Sequence, residues 1–451
     1  MQAQFNVTSE TFRPIHYLGS KLRILDFIGE TINGVDPSQG TVCDLFSGSG
    51  TVSQYLGYSR KVISVDIQEY SRVLCSALLT PCLIPFTAEH FIKKVKSSDN
   101  YKYLLDIFSP LLSYEKQALD EAAAGNIDKL YDIIENGSII TTEINKSSNT
   151  NNELSKILLK MVETTDKEGL QIDSRAMVIR YFGGLYFSYE QALCIDAALE
   201  TVFQYSNNDS HLRDILMASL ISATSDIVNT VGKQFAQPLQ IRDSHGKLKR
   251  NLLPKILNDR AESFMLKLAY WLHRYSENST DINGHEFIKS DYRLALKQLK
   301  TKDISVVYAD PPYTRYHYSR YYHVLETICL RDMPEVSTTF INGTDISRGI
   351  YRKDRHQSPF SIKSKASSAF DELFSNVANL EVPLVLSYSP FSKNQPATPR
   401  MQDIEQLVVK AKQFYKEVDV LSPGYFTHSK LNAVRKNFGT DNEAELLLVC
   451  R

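Results

Sequence analysis

Residues 41–66 read TVCDLFSGSGTVSQYLGYSRKVISVD. A short apolar run, TVCDLF, leads into a glycine–serine turn. The helix-forming stretch TVSQYLG follows, and then a second β-branched run, VISVD. This is the pattern of a strand–helix–strand unit, which requires a parallel sheet. Glycines at 48 and 50 let the backbone turn sharply and bring amide N–H groups close to a ligand at a helix N-terminus. The spacing is G-x-G and stops short of the fuller dinucleotide pattern, so a single nucleoside is the better fit. Asp66 closes the second run, where a carboxylate can either accept both ribose hydroxyls of an adenosine-type ligand or cap the next helix.

Working outward, the strand texture returns far along the chain, at EFIKSD (286–291), VVYAD (306–310), VPLVLSYS (382–389) and AELLLVC (444–450). These apolar runs fit buried strands of the same sheet. Between them, stretches such as YEKQALDEAAAGNIDKLYDII carry apolar residues at three- and four-residue spacing and read as helices. The polar segment NGSIITTEINKSSNTNN (136–152) reads as an exposed loop. The fold class expected is α/β, a Rossmann-like sheet interrupted by a large, mainly helical insertion. The divisions are 1–75 for the first part of the catalytic domain, 76–285 for the insertion and 286–451 for the second part.

At 451 residues, with 43% hydrophobic and 23% charged, the chain is long enough for two sizeable units and has the composition of a globular protein. The start lacks an apolar signal region and no run is long enough to span a membrane, so a cytoplasmic protein with no membrane partner is expected. Cys43, Cys75, Cys82, Cys194, Cys329 and Cys450 form no C-x-x-C pair, which argues against zinc and against a disulfide framework. No metal site is expected.

Net charge is −1, so the whole balance points to no polyanion. Its distribution says more. Residues 115–173 hold twelve acidic and six basic side chains, whereas Arg242–Lys255 holds five basic residues against Asp243 and Arg348–Lys365 six against Asp354. A polyanion would meet the later two segments, through Lys247, Lys249 and Arg250 and through Arg352, Lys353 and Arg355; either run is otherwise a solvated face.

ADPPYT at 309–314 follows the strand VVYA. Its chemistry suits, as a methyl acceptor, the exocyclic amino group of adenine, whose lone pair is delocalised into the ring. The Asp310 carboxylate and the carbonyl of Pro311 can accept the two amino hydrogens and direct the lone pair outward. Pro311 and Pro312 hold that carbonyl by their fixed φ angles. Tyr313 offers a ring for a base taken out of the duplex stack. The methyl donor for such a step is S-adenosylmethionine. The following segment, TRYHYSRYYHVLE, is dense in Arg, His and Tyr; Arg315, Tyr318 and Arg320 would grip a displaced strand, unless the segment is a partly buried helix.

With these motifs in order, the chain resembles the Dam-like D12 class of DNA adenine N6-methyltransferases. The matching pieces are Tyr17-Leu18-Gly19-Ser20-Lys21, Phe46-Ser47-Gly48-Ser49-Gly50, the 76–285 insertion in the place of a target-recognition region, and Asp310-Pro311-Pro312-Tyr313. The resemblance implies a Rossmann-like methyltransferase acting on double-stranded DNA, with a restriction endonuclease as an associated partner in some systems. It places Tyr17 and Lys21 by the methionine end of the cofactor or by the target nucleotide. Asp44, Phe46, Ser47, Gly48, Gly50 and Asp66 fall in the cofactor site. Asp291 falls near the cofactor adenine, or else caps a helix. An RNA adenine methyltransferase and a catalytically silent DNA-binding protein of this fold are the alternatives, and Asp310 at the head of the motif favours DNA adenine.

Overall fold

The computed structural model describes residues 12–81, 84–145, 152–278, 282–339, 345–389, 400–423 and 445–451. Nine strands occur among them: β1 (Val42–Leu45), β2 (Val62–Asp66), β3 (Glu286–Lys289), β4 (Val306–Ala309), β5 (Thr338–Thr339), β6 (Asp345–Ile346), β7 (Leu384–Tyr388), β8 (Val418–Leu421) and β9 (Leu446–Cys450). Seven of them form one sheet in the order β3-β2-β1-β4-β7-β9-β8, and β5 and β6 pair as a separate ribbon.

From β3 to β7 all neighbours are parallel. β9 lies antiparallel to both β7 and β8, so the sheet is mixed. β1 sits where the chain reverses its direction of travel across the sheet, so the loops after β1 and β4 diverge and leave a crevice beyond their ends.

Side-chain alternation explains how the sheet is covered. Val42, Val62, Val306 and Tyr308 point into one core, shared with helices Leu25–Val35 and Glu69–Leu79. Cys43, Leu45, Ile63, Val307 and Ala309 point into the other, shared with helices Tyr292–Leu299 and Lys363–Ala378. A strand buried on both faces needs apolar residues at nearly every position, as in VVYA and in VCDL, where each residue is buried and Asp44 is the one polar exception.

Between Leu79 and β3 every regular element described is helical. Helix Ser210–Ile227 packs against Glu69–Leu79 and Phe264–Ser276, and the insertion's buried residues run on into the first core without a break. The boundary drawn at 75 therefore falls inside helix Glu69–Leu79, while the one at 285 falls just before β3. The stretch read as a loop at 136–152 includes a helix, Ile139–Asn145, because Ile139 and Ile140 are buried; residues 146–151 lie outside the described residues.

Among the described residues no helix is long and apolar enough to cross a membrane, and no group of three or more His, Cys, Asp or Glu side chains is placed to hold a metal. Five cysteines are free thiols, and Cys82 lies outside the described residues.

Candidate active site

The register of the sheet brings the sequence motifs to one edge. Leu45 pairs with Val65 and with Ala309, so Phe46, Asp66 and Asp310 leave neighbouring strands at the same level. Asp66 in turn pairs with Lys289, which sets Ser290 and Asp291 beside it. Because β9 runs the other way, the residue before its first position arrives at this edge too. That residue is Glu445.

The glycine loop is shaped by positive φ angles at Phe46 (78°), Gly48 (56°) and Gly50 (77°). Glycine is required at 48, since a Cβ there would strike the Tyr17 hydroxyl. Several hydrogen bonds hold the loop in place, the Phe46 and Ser47 N–H groups both donating to the Val65 carbonyl. The Ser47 hydroxyl donates to the Asp44 carbonyl at 2.8 Å, and the Gly48 N–H donates to Asp66 Oδ2 at 3.0 Å. Asp66 Oδ1 accepts from the Gln68 N–H at 2.9 Å, so this carboxylate both braces the loop and faces the cavity. Asp291 likewise has two roles: it is the N-cap of Tyr292–Leu299, accepting from the Arg293 N–H at 2.9 Å, and it lines the cavity.

At the other end lies a buried charge network. Lys21 Nζ is 2.9 Å from Asp310 Oδ2 and 3.1 Å from Glu445 Oε1. Glu445 Oε1 also accepts from the Ser387 hydroxyl at 2.8 Å. Burial pushes the Asp310 carboxyl up to about 6 although Lys21 opposes it; the side chain keeps 23% exposure at the cavity. Lys21 is held charged, because the two carboxylates outweigh the burial that would lower it. Asp44 is buried, accepts from the Ser53 hydroxyl at 2.5 Å, and is raised to about 7 by burial, with Asp310 and Asp66 adding repulsion.

The Tyr313 ring is flanked by cations, with Lys21 Nζ 5.6 Å and Arg400 Cζ 4.8 Å from its centroid. Tyr17 stacks on Tyr322 with centroids 4.9 Å apart and planes 15° from parallel. Tyr318 lies against this pair and forms cavity wall rather than exposed surface.

Of the residues expected at the cofactor, Tyr17, Lys21, Asp44, Phe46, Ser47, Gly48, Asp66 and Asp291 all line one cavity, together with Asp310 and Pro312. Gly50, Pro311 and Tyr313 do not line it: Gly50 is the N-cap of helix Thr51–Gly57, beneath the loop. Reading the sequence missed Glu445, Ser387 and Arg400. A glutamate ahead of an apolar strand was the one signal for Glu445.

The basic residues divide. Lys247 and Arg250 are exposed, and Lys249 Nζ donates to the Gln240 carbonyl at 3.0 Å. Arg315 is exposed just after the Asp310–Tyr313 turn, and Arg320 lies over the Tyr351 ring. Arg352 contradicts the expectation of a phosphate contact. It is buried, with Nη1 2.7 Å and Nη2 2.6 Å from the two Asp332 oxygens and Nη2 3.1 Å from Asp354, so its charge is already matched. Lys353 pairs with Glu335 at 2.5 Å on the surface, and Arg355 donates to the Arg352 carbonyl at 3.2 Å. The acidic stretch is not wholly surface either, since Glu115 is buried against Arg260 and accepts from the Tyr189 N–H.

Comparison with known proteins gives two matches. The family model of the D12 class N6 adenine-specific DNA methyltransferases matches residues 17–174 and 266–384, more than half of the chain. Modification methylase LlaI of Lactococcus lactis subsp. lactis is 25% identical over 432 residues, covering 94% of this chain and 53% of the relative. The chain thus spans about half the length of that relative. No solved structure matches the chain.

Proposed function

Because this chain belongs to the D12 class of N6 adenine-specific DNA methyltransferases, we propose that it transfers a methyl group from S-adenosylmethionine to N6 of adenine in double-stranded DNA. The observation that carries this reading is the position of Asp310, which leaves β4 level with the glycine loop and faces the same cavity. The strand order and the crevice beside β1 fit a Rossmann-like methyltransferase sheet.

The cavity's side chains suit the cofactor. Asp44, Asp66, Asp291 and Asp310 face it with Lys21, a predominance of carboxylates that favours a ligand bearing a sulfonium and an ammonium. Asp66 and Asp291 would hold the ribose and adenine end, and Tyr17 and Lys21 the methionine end. When bound, the cofactor supplies an electrophilic methyl group.

The residues of this chain do the rest. Asp310 accepts one hydrogen of the adenine amino group and the Pro311 carbonyl accepts the other, which turns the nitrogen lone pair toward the donor. Tyr313 stacks on the extruded base, and the cations of Lys21 and Arg400 against its ring help hold it in place. The helical insertion reads the target sequence. Lys247, Lys249, Arg250, Arg315, Arg320, Lys353 and Arg355 are the cations that meet the DNA; Arg352 is withdrawn from that set. A paired restriction endonuclease fits the printed role of the relative as a modification methylase. DNA as substrate fits a cytoplasmic enzyme. Tritium transfer from labelled cofactor into duplex DNA, followed by nucleoside analysis, tests the proposal. Label in N6-methyladenine is expected, and label in cytosine or none at all overturns it.

A further inference from the structure

Two guanidinium groups meet on one ring beside the catalytic loop. Arg320 Cζ lies 4.7 Å from the Tyr351 centroid, and Arg320 Nη2 donates to the Tyr351 hydroxyl at 3.0 Å. Arg355 Cζ lies 5.6 Å from the same centroid. The ring itself is fixed, because it is buried and its hydroxyl donates to the Ala236 carbonyl. Among the described residues neither arginine is paired with a carboxylate. Like charges held this close repel, so something of opposite sign is needed to complete the arrangement.

Unused donors point the same way. Arg355 Nε and His317 Nδ1 are buried and make no hydrogen bond among the described residues, an uncommon state for buried polar atoms. The charged neighbours that bear on His317 are Arg355, Arg320 and His356, all basic. The Ser319 hydroxyl donates to the His356 carbonyl at 2.5 Å, and Tyr318, Ser319 and His356 all line the cavity. The cluster therefore borders the cavity that Asp310 faces, where the adenine amino group is proposed to be received.

We propose that Arg320, Arg355 and His317 together bind one phosphodiester of the target strand, the one flanking the extruded adenine. This rests on the DNA methyltransferase reading above. A base buried in the cavity leaves its own backbone at the rim, and two guanidinium forks with an imidazole N–H can saturate a single phosphate. S-adenosylmethionine carries no phosphate, so the anion comes from the nucleic acid.

Methyl transfer into long genomic duplex, followed with tritiated donor, yields kcat/KM at several salt concentrations whatever the recognition sequence is. R320Q and R355Q should each lower kcat/KM and flatten its logarithmic salt slope by about one unit, the value for one phosphate. The double variant should flatten it by about the same single unit, because the phosphate is shared. Affinity for S-adenosylhomocysteine should stay at the wild-type level in all three, showing that the fold is intact. A flattening of about two units in the double variant, or unchanged slopes, overturns the shared site alone. Wild-type protein that transfers no label to DNA overturns the proposed activity and this site with it.

Discussion

Lys21 Nζ stands between Asp310 and Glu445, 2.9 Å from one carboxylate and 3.1 Å from the other, so a single ammonium ties the start of the described chain to its end. The arrangement carries two carboxylates and one cation. In the proposed reaction, Asp310 receives an adenine amino hydrogen while Glu445 keeps Lys21 paired.

Asp310→Ala should abolish methyl transfer and leave DNA binding largely intact. In the wild type, kcat/KM should fall as pH drops through about 6, where Asp310 takes up its proton and becomes a donor instead of an acceptor. A rate that is flat from pH 5 to 8 would remove Asp310 from the hydrogen-accepting role.

Glu445→Gln keeps the shape of the side chain and removes its charge. Asp310 then feels Lys21 without the opposing carboxylate, so the acidic limb of kcat/KM should move to lower pH. Lys21 also binds Asp310 more tightly in this variant, and kcat should fall while affinity for S-adenosylhomocysteine holds. A loss of stability with no movement of the acidic limb would leave Glu445 a purely structural residue.

Asp66→Ala removes the proposed ribose contact and also the acceptor for the Gly48 N–H. Each hydrogen bond to a charged acceptor is worth about 1.5–3 kcal/mol, so S-adenosylhomocysteine should bind at least about tenfold more weakly by calorimetry. An unaltered dissociation constant would restrict Asp66 to bracing the turn.

Asp44 has its folded-state carboxyl raised to about 7 from an ordinary value near 3.8. The folded protein therefore holds this proton more tightly than the unfolded chain does. The resulting stabilisation is full below about pH 4 and is lost as pH rises through about 7. Asp44→Asn, which can still accept from Ser53, should raise the melting temperature at pH 8 and change it little at pH 4. The opposite pH dependence would show that the charged form is the better one in the fold.

Arg352→Ala should destabilise the fold by about 1.5–3 kcal/mol, the worth of charge-assisted bonds, because it leaves Asp332 without its partner. It should not alter the salt dependence of DNA binding. Neutralising Lys247, Lys249 and Arg250 together should do the reverse, flattening the slope by up to about three units with little change in melting temperature. Equal slopes in wild type and triple variant would mark that turn as a solvated face.

How much of this was legible in the sequence follows from how local each constraint is. The glycine loop and the Asp310-Pro311-Pro312-Tyr313 turn carry their geometry within a few residues, through positive φ and fixed proline φ, so their strands and their shared edge could be read directly. β8 went unread because three of its four residues are exposed at the sheet margin, where little hydrophobic pattern is needed. Glu445 went unread for another reason. An apolar run announces a strand but not its direction, and only the antiparallel sense of β9 carries this side chain to Lys21, 424 residues away in the chain. Arg352 was misplaced because a basic run does not show which member turns inward; Asp332, which captures it, lies outside that run.

β1 has a near partner and a far one, since Val42 pairs with Val62 on one side and with Val306 on the other. Short loops close at a lower entropic cost than long ones, and contacts distant in the chain form slowly. The pocket floor at β1 and β2 is thus a local contact, whereas the strand bearing Asp310 must find its place after the whole helical stretch has been gathered in. Amide hydrogen exchange should show β1–β2 better protected than β4, and uniform protection would refute this order. A weakened chain would then lose the strand that carries Asp310 before it loses the glycine turn.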